Sequence, residues 1–435
     1  MKEPEVSPES MTDVPRTQET RRQNSESRRA VLVGVCAVLA AWTWMFLTVH
    51  YNYGGNWTAL YLIGPRTPVP PSVRAERLYI FPNNSGYDGQ SFHLMAHDPW
   101  MRRSTPAELQ IQTFRYARIL VPALAWMVGL GRDRWIDPAY YAVILAFVFL
   151  GVYWTAVYAQ GASLQAGAAS LPAAWGFVFL LSPATLTSLD RMTVDIALTA
   201  LCAAFVVYAD RGTRSNGNGT RWKILFVLAC ALLTRETAWI LFAAYEVFLL
   251  ARRRFTDACF ATAAAIPAVA WQFYIAARAG KAAIPPELLG WIPGAGFFDR
   301  LTHPAVYGLP PFLTHLAITL DYVALCGMAL ACALAVRVFS LSVAARNPVT
   351  ATAWAIFGFA LAAVFLRGQG EWADAFAFGR IFAPLLVLMA MCPLLSSASS
   401  RVWLGLAPTL LVDSRIALNF GKQALGVLRG LLHWA

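Results

Sequence analysis

The chain has 435 residues, of which 58% are hydrophobic and only 14% are charged, and its formal net charge is +11. Soluble domains carry roughly 25% charged residues, so this composition excludes an ordinary soluble protein. The excess of Lys and Arg lies in short clusters beside apolar segments, as the positive-inside rule expects, and therefore does not indicate a nucleic-acid partner.

Several apolar segments reach about 18 residues or more, the length that a helix needs to cross a bilayer core. Short polar gaps separate them, without the period-two alternation of a membrane β-barrel. The sequence therefore predicts an all-α, polytopic helical protein of the inner (plasma) membrane, with about ten to eleven transmembrane helices. Residues 29–435 are interpreted as one helical membrane domain, since the sequence shows no internal repeat.

Residues 1–28 are polar and rich in Glu, Ser, Pro and Arg, which predicts a disordered cytoplasmic tail. Arginines at its end precede the first predicted span, residues 30–51, and place the N-terminus inside and the next segment outside. That outer segment, residues 52–116, is too long for a simple connector, and its Trp and Tyr content indicates folding on the membrane interface. Short amphipathic helices are predicted there, near residues 91–96 and 106–115.

The remaining apolar segments predict further membrane crossings. Full spans are expected at residues 140–158, 167–181, 194–208, 260–277, 313–336, 349–366 and 381–395, with shorter apolar segments at 119–131 and 402–412. A basic loop after Tyr208 is predicted to be cytoplasmic, which places the turn around Asp190 on the outer side, together with Asp88. Residues 280–311 are predicted to form a second outer loop, and the C-terminal segment an interfacial helix on the inner face.

Residues 224–250 lie between two basic clusters and would make a helix of roughly 40 Å, long for one span and short for two. We therefore predict two half-helices that meet near residues 233–237, which read Leu-Thr-Arg-Glu-Thr. Broken helices at membrane depth are tolerated only where they line a cavity. Arg235 and Glu236 are thus either a structural ion pair or cavity-lining groups for an anionic head group.

The stretch Gly86-Tyr87-Asp88-Gly89-Gln90 lies in the first outer loop and contains the main catalytic candidate. Asp88 has the chemistry of a general base that takes the proton from an acceptor hydroxyl. The glycines beside it permit unusual backbone angles and close approach of other groups. The alternative interpretation is a turn aspartate that hydrogen-bonds its own backbone.

The other candidates are charged residues at predicted outer helix ends. Arg115 and Arg118 are either ligands of a lipid phosphate or snorkelling anchors. Asp190, Arg191 and Asp195 are either a functional ion cluster or a solvated turn in which Asp190 caps a helix.

Two further sites are left open by the sequence. Arg380 directly precedes the span at residues 381–395 and is a candidate phosphate ligand. His93 and His97 are four residues apart, a spacing that can hold a metal, but two interfacial histidines are the favoured interpretation. No metal ligand is therefore assigned, and a requirement for a divalent metal is left open.

Five segments carry a resemblance to a known family. They are Gly-Tyr-Asp-Gly-Gln at 86–90, Asp-Pro at 98–99, Arg-Tyr-Ala-Arg-Ile-Leu at 115–120, Leu-Leu-Thr-Arg-Glu-Thr-Ala at 232–238 and Gly-Arg-Ile-Phe-Ala-Pro-Leu at 379–385. Together they resemble the GT-C-type membrane glycosyltransferases, which use polyprenyl-phosphate-linked sugars, and more closely the bacterial multi-spanning proteins of cell-surface glycopolymer formation. The resemblance implies a helical scaffold whose acidic catalytic residue lies in the first outer loop, at Asp88.

We therefore expect a glycosyltransferase that moves a sugar from a polyprenyl-phosphate donor to a cell-surface glycan or glycolipid, on the outer side of the membrane. Asp88 is the expected base. The expected substrate-binding residues are Tyr87, Gln90, Arg115, Arg118, Asp190, Arg191, Asp195, Arg235, Glu236 and Arg380. The expected partners are the lipid-linked sugar donor, the glycan or glycolipid acceptor and membrane lipid, without nucleic acid, and a divalent metal is left open. Two alternatives are a transporter or flippase for a lipid-linked glycan and a non-catalytic partner in glycopolymer assembly.

Overall fold

The computed structural model describes residues 13–67, 69–70, 73, 76–103, 113–166, 173–212, 218–280, 290–344, 349–368, 370–392 and 402–432. The regular structure of these residues is helical, apart from one isolated parallel bridge between Ile63 and Ile80. The predicted all-α class is therefore confirmed.

The helices differ widely in length. The α-helices are α1 (Asp13–Tyr53), α2 (Asp88–His97), α3 (Leu120–Val128), α4 (Asp133–Ala166), α5 (Pro183–Arg191), α6 (Asp195–Gly212), α7 (Asn218–Leu232), α8 (Ala238–Ala251), α9 (Phe255–Thr262), α10 (Ile266–Ala279), α11 (Ala295–Thr302), α12 (Pro311–Ala344), α13 (Ala351–Phe365), α14 (Ala375–Ile381), α15 (Ala383–Ala390) and α16 (Val402–Leu432). Short 3₁₀ helices cover Trp57–Tyr61, Thr113–Ala117, Ala173–Leu181 and Ala263–Ala265.

Four helical segments are long and apolar enough to cross a membrane. They are Ser25–Tyr53, Asp133–Gly161, Phe255–Ala279 and Pro311–Ala344. Three shorter apolar helices accompany them, at Asp195–Ala209, Ala238–Ala251 and Ala351–Phe365. These segments agree with a membrane protein, whereas the larger count of about ten to eleven spans stays a prediction.

The predicted break in residues 224–250 is present. Helix α7 ends at Leu232 and α8 begins at Ala238, so Arg235 and Glu236 lie in the turn between them. The short apolar segment at 119–131 contains the nine-residue helix α3. The amphipathic helix expected near 91–96 is α2, and most of the one expected at 106–115 lies outside the described residues.

Three elements differ from the prediction. Helix α1 begins at Asp13, inside the tail predicted to be disordered, because a helix extends cheaply once its apolar part has formed. A full span was predicted at residues 167–181, and its described part, Ala173–Leu181, is a 3₁₀ helix. A 3₁₀ helix rises about 2.0 Å per residue, so it makes this short segment before Pro183 longer than an α-helix would. The short span and the interfacial segment expected near the C-terminus are one continuous helix, α16.

Helix α6 lies at the centre of the packing. All residues from 192 to 207 are buried, and α6 contacts α4, α7, α13 and α15. Helix α1 packs on α4, and α12 packs on α16. The first residue of α6 is Asp195, so this central helix presents a carboxylate at one end of the apolar core.

Candidate functional site

The motif at residues 86–90 has a backbone that requires its glycines. Gly86 has a φ of +89°, in the left-handed region that side chains disfavour. Gly89 lies in α2 so close to the carbonyl oxygen of Arg191 that a Cβ atom would collide with it. Asp88 is the first residue of α2, where the helix dipole favours a negative charge. Both glycines therefore have the roles that the sequence suggested.

Asp88 is surrounded by arginines from distant parts of the chain. Its Oδ2 lies 2.7 Å from Nη2 of Arg380 and 3.9 Å from Nη1 of Arg118. Its Oδ1 accepts hydrogen bonds from Nε and Nη2 of Arg115, at 3.1 and 3.0 Å. The carboxylate is thus held by three guanidinium groups rather than by the backbone of its own turn.

Two more carboxylates extend this network. Glu236 accepts two hydrogen bonds from Arg118, at 2.6 and 2.9 Å. Asp195 lies 3.4 Å from Arg380 and forms a close ion pair with Arg235. We call this set the ion cluster: Asp88, Arg115, Arg118, Asp195, Arg235, Glu236 and Arg380. Its four guanidinium groups and three carboxylates leave a formal surplus of one positive charge.

Short elements bring these side chains to one place. Arg115 belongs to the 3₁₀ helix Thr113–Ala117, and Arg118 follows it directly. The backbone N–H of Leu120 donates to the carbonyl of Leu233 at 3.0 Å, which fixes the start of α3 against the turn that carries Glu236. Arg380 lies in the last turn of α14, whose N-cap is the Asp374 side chain. The turn between α7 and α8 therefore contributes Arg235 and Glu236 to the ion cluster, at the break that the sequence predicted.

Tyr87 and Arg191 border the ion cluster. The Tyr87 ring contacts the guanidinium of Arg191 at 4.4 Å and that of Arg380 at 4.7 Å, both as cation–π pairs. Asp190 pairs with Arg191 at 3.2 Å and accepts a close hydrogen bond from Gln423 of α16. Asp190 and Arg191 thus reach the cluster through Tyr87 and not by a direct ion pair.

Gln90, another predicted site residue, makes its described contacts away from the ion cluster. Its Oε1 accepts the backbone N–H of Gly64 at 3.0 Å and the hydroxyl of Thr67. These bonds hold the segment around residue 64 against α2. Gln90 therefore positions the outer segment and lies outside the ion cluster.

The ion cluster is largely buried but has an open side. The Arg115, Glu236 and Asp88 side chains are 25, 20 and 14% exposed, whereas Asp195 is 2% exposed. Burial raises the pKa of the Asp88 carboxyl, but Arg380, Arg118 and Arg115 outweigh burial and hold that pKa well below its usual range.

The cluster retains unused hydrogen-bond donors. Among the described residues, the Nε atoms of Arg380 and Arg235 are buried without a hydrogen-bond acceptor. Arginine binds phosphate or carboxylate with a planar, multidentate geometry. A positive surplus, buried donors and an open side together make this a site suited to an anion.

A second group of ionisable residues lies further along α2. His93 and His97, which are buried, face Glu76 of the outer segment and Asp137 of α4. Asp98 is turned away and accepts the backbone N–H groups of Arg102 and Arg103. The histidines are therefore buried and not interfacial, and their acidic neighbours Glu76 and Asp137 were not predicted because they lie in other segments.

Another buried group was missed by sequence reasoning. Asp321 of α12 accepts a hydrogen bond from Arg300 at 3.1 Å and lies 3.3 Å from Nε of Arg415. A cleft of about 530 Å³ adjoins it, lined by Arg300 and Trp372 among others. The available signal was an aspartate inside a long apolar segment.

Comparison with family models, with curated proteins and with solved structures finds no match for this chain. The chemistry of the site is therefore inferred from its geometry and from the sequence motifs. These describe a partly open cluster of arginines and carboxylates at one end of a helical core that contains apolar helices of membrane-crossing length.

Proposed function

We propose that this protein is a polytopic plasma-membrane glycosyltransferase that moves a sugar from a polyprenyl-phosphate donor to a surface glycan or glycolipid. The observation that carries the proposal is the convergence of Arg115, Arg118 and Arg380 on Asp88. An anionic leaving group needs cations, and an attacking hydroxyl needs a base, and both chemistries are present within one cluster.

The surroundings of the cluster support a lipid-linked substrate. Helices of membrane-crossing length pack around the same core, so a long apolar chain has an apolar surface to follow while its phosphate reaches the arginines. In the proposed topology the N-terminus is cytoplasmic and Asp88, Asp190 and Arg380 lie at the outer surface, in agreement with the distribution of basic residues.

The proposed reaction uses Asp88 as the base. The acceptor oxygen bonds to the anomeric carbon of the donor, and the bond between that carbon and the phosphate oxygen breaks. The electron pair leaves with the polyprenyl phosphate, which Arg118, Arg235 and Arg380 stabilise, and the acceptor proton moves to the Asp88 carboxylate. The other expected contacts are Tyr87, Arg115, Asp190, Arg191, Asp195 and Glu236.

The low basicity of Asp88 is accounted for by the same scheme. With no phosphate bound, three guanidinium groups hold the carboxylate ionised and weakly basic. A donor phosphate competes for those guanidinium groups and so returns basicity to Asp88. Donor binding would therefore prepare the base before the acceptor reacts.

The test is the glycan profile of cells that carry Asp88→Asn. The matched control is Asp257→Asn, because Asp257 is likewise little exposed and paired with two arginines, Arg254 at 2.6 Å and Arg221 at 3.1 Å. We expect Asp88→Asn to lower transfer by about 10²- to 10⁴-fold, with loss of one sugar from a surface glycan and accumulation of its lipid-linked donor. Asp257→Asn should leave transfer unchanged when membrane levels are equal.

The result separates the proposal from its rivals. A normal glycan profile in Asp88→Asn cells, with the protein present at wild-type level, would overturn the transferase. Accumulation of a complete lipid-linked glycan on the inner face would instead identify a flippase. If cells that lack the whole protein lose the polymer, but cells with Asp88→Asn still make it, the protein is an assembly partner.

A further inference from the structure

We propose that Glu76, His93, His97 and Asp137 bind one divalent transition-metal cation, with zinc as the best fit. Each residue offers one ligand atom, and these four atoms lie within 4.8 Å of one another. They come from the outer segment, from α2 and from α4, so the site joins three elements. We call them the histidine–carboxylate cluster.

The ligand atoms are close enough together to be shared by one ion. Nε2 of His93 lies 2.9 Å from Asp137 Oδ1 and 3.3 Å from Glu76 Oε2, and Nε2 of His97 lies 3.3 Å from Glu76 Oε1. Zinc bonds to nitrogen and oxygen are about 2.0–2.2 Å long, and the edge of such a tetrahedron is about 3.3–3.6 Å. The two 3.3 Å separations equal that edge, each through a different oxygen of Glu76, and all four ligand atoms lie within 4.8 Å, so a small inward movement would bring them onto one ion.

These contacts are not hydrogen bonds that satisfy the buried histidines. His93 is fully buried and His97 nearly so. Within the described part of the chain, neither ring nitrogen of His93 has a partner in hydrogen-bond geometry, and the same holds for Nε2 of His97 and Oε2 of Glu76. Buried polar atoms of native proteins are rarely left unsatisfied, and a shared cation would satisfy several of these at once.

The neighbours of the cluster have the arrangement that metal ligands usually show. Nδ1 of His97 lies 3.2 Å from Asp133 Oδ1, so a proton on Nδ1 leaves Nε2 as the ligand atom. The Tyr61 hydroxyl donates to Asp137 at 2.9 Å, and the Tyr61 ring stacks on His93 at 4.2 Å between centroids. Such outer contacts orient imidazole and carboxylate ligands toward the ion.

The ion would be structural, because four side chains complete its tetrahedron and no open position is needed. It would attach α2 to the start of α4 and to the outer segment. Since α2 begins with Asp88, the ion would also fix the helix that presents the proposed base, without contacting the substrate.

One competing explanation needs no ion. Burial lowers the pKa of His93, but Asp137 and Glu76 outweigh burial and raise it to about 9, so His93 would be a charged imidazolium between two carboxylates. The two explanations differ in metal content and in their response to a chelator, and neither readout depends on transferase activity.

The experiment measures zinc in the full-length protein, purified in detergent through a tag without histidines and dialysed against zinc chloride. We expect about one zinc ion per chain in the wild type and in His303→Ala. His303 is the control because it is exposed and its ring contacts only near neighbours among the described residues, including the carboxylate of Asp299 at 3.1 Å and the Thr302 hydroxyl at 3.0 Å. The double variant His93→Ala/His97→Ala should lose the ion, and a chelator should lower the melting temperature of the wild type but not of that variant.

A milder variant covers the case in which the double variant does not fold. Asp133→Asn keeps all four ligands and weakens the contact to His97, together with the exposed ion pair to Arg103, so zinc affinity should fall by about 10- to 100-fold. A wild type that takes up no zinc, manganese or iron(II), or whose melting temperature ignores the chelator, overturns the proposal and leaves the imidazolium explanation.

Discussion

The two ends of α2 lie in opposite electrostatic surroundings. At its N-terminal end, Asp88 faces Arg115, Arg118 and Arg380, in a cluster with a surplus of positive charge. Toward its C-terminal end, His93 and His97 face the carboxylates Glu76 and Asp137. The helix has ten residues and is about 15 Å long, so the two environments are close neighbours.

The difference shows how one short helix connects two kinds of site. The arginine end has a surplus of positive charge and suits a mobile anionic substrate, whereas the histidine end has two buried imidazoles beside two carboxylates and suits a resident cation. A rigid α2 would transmit the position of the histidine end to Asp88. A change at one end should then alter the other.

Among the variants that test how the two ends of α2 are linked, the largest effect is expected from Gly89→Ala, a change at the second residue of the helix. An added Cβ would collide with the Arg191 carbonyl oxygen, so α2 must shift. A displacement of about 1 Å at a catalytic group costs roughly a hundredfold in rate, and we expect that loss together with reduced zinc content. Transfer is assayed as release of polyprenyl phosphate from the donor that the glycan profile identifies.

Gly421→Ala is the control for that change. Gly421 also lies in a helix, α16, but an added Cβ there has no neighbour within 4 Å. This variant should keep its activity and gain up to about 1 kcal/mol of stability from the better helix propensity of Ala. Lost transfer with normal zinc content in Gly89→Ala would show that the two ends of α2 are independent.

A smaller effect is expected when lysine replaces one of the arginines that face the N-terminal end of α2. Arg380→Lys should lower kcat/KM by about 10- to 100-fold, because Arg380 bridges Asp88 and Asp195 and also contacts the Tyr87 ring. Arg115→Lys should cost less than about fivefold, since Arg115 is more exposed and pairs with Asp88 alone among the described ion pairs. Equal losses in both variants would contradict this ranking, and zinc content should be normal in both.

The smallest effect is expected in the pH dependence. The lowered pKa of Asp88 keeps this carboxyl ionised as pH falls, so kcat/KM, which reports the free enzyme, should show no acid limb from Asp88 above about pH 4. Bound donor phosphate competes for the arginines and raises the pKa of Asp88. The acid limb of kcat should therefore lie at least about one pH unit above that of kcat/KM. Coinciding limbs would show that donor binding does not change the basicity of Asp88.

Much of the local structure was predictable from the sequence. The helix at α2, the short helix α3 and the break between α7 and α8 follow from apolar periodicity and from charged residues inside an apolar segment. The conformational demand on Gly86 was likewise visible beside Asp88. These features depend on residues close together in the chain, which is why a pattern could reveal them.

The helix limits in the termini and in residues 173–181 were less predictable. Whether a helix continues past its apolar part, as α16 does, depends on the helices against which it packs, here α12 and α1. The 3₁₀ helix at Ala173–Leu181 packs against α4, a contact that no local pattern records. Tertiary contacts override local propensity at such places.

The sequence by itself determined the helical class, the apolar segments and the types of charged residue available, because these follow from composition and period. Only the tertiary structure decided which charges meet. Arg118 and Glu236 are 118 residues apart in the chain, and Arg380 and Asp195 are 185 apart. Likewise, the two histidines are neighbours on α2, but Glu76 and Asp137 reach them from other elements. Such pairings are set by the packing of the whole core, because electrostatic contact depends on distance in space and not on separation along the chain.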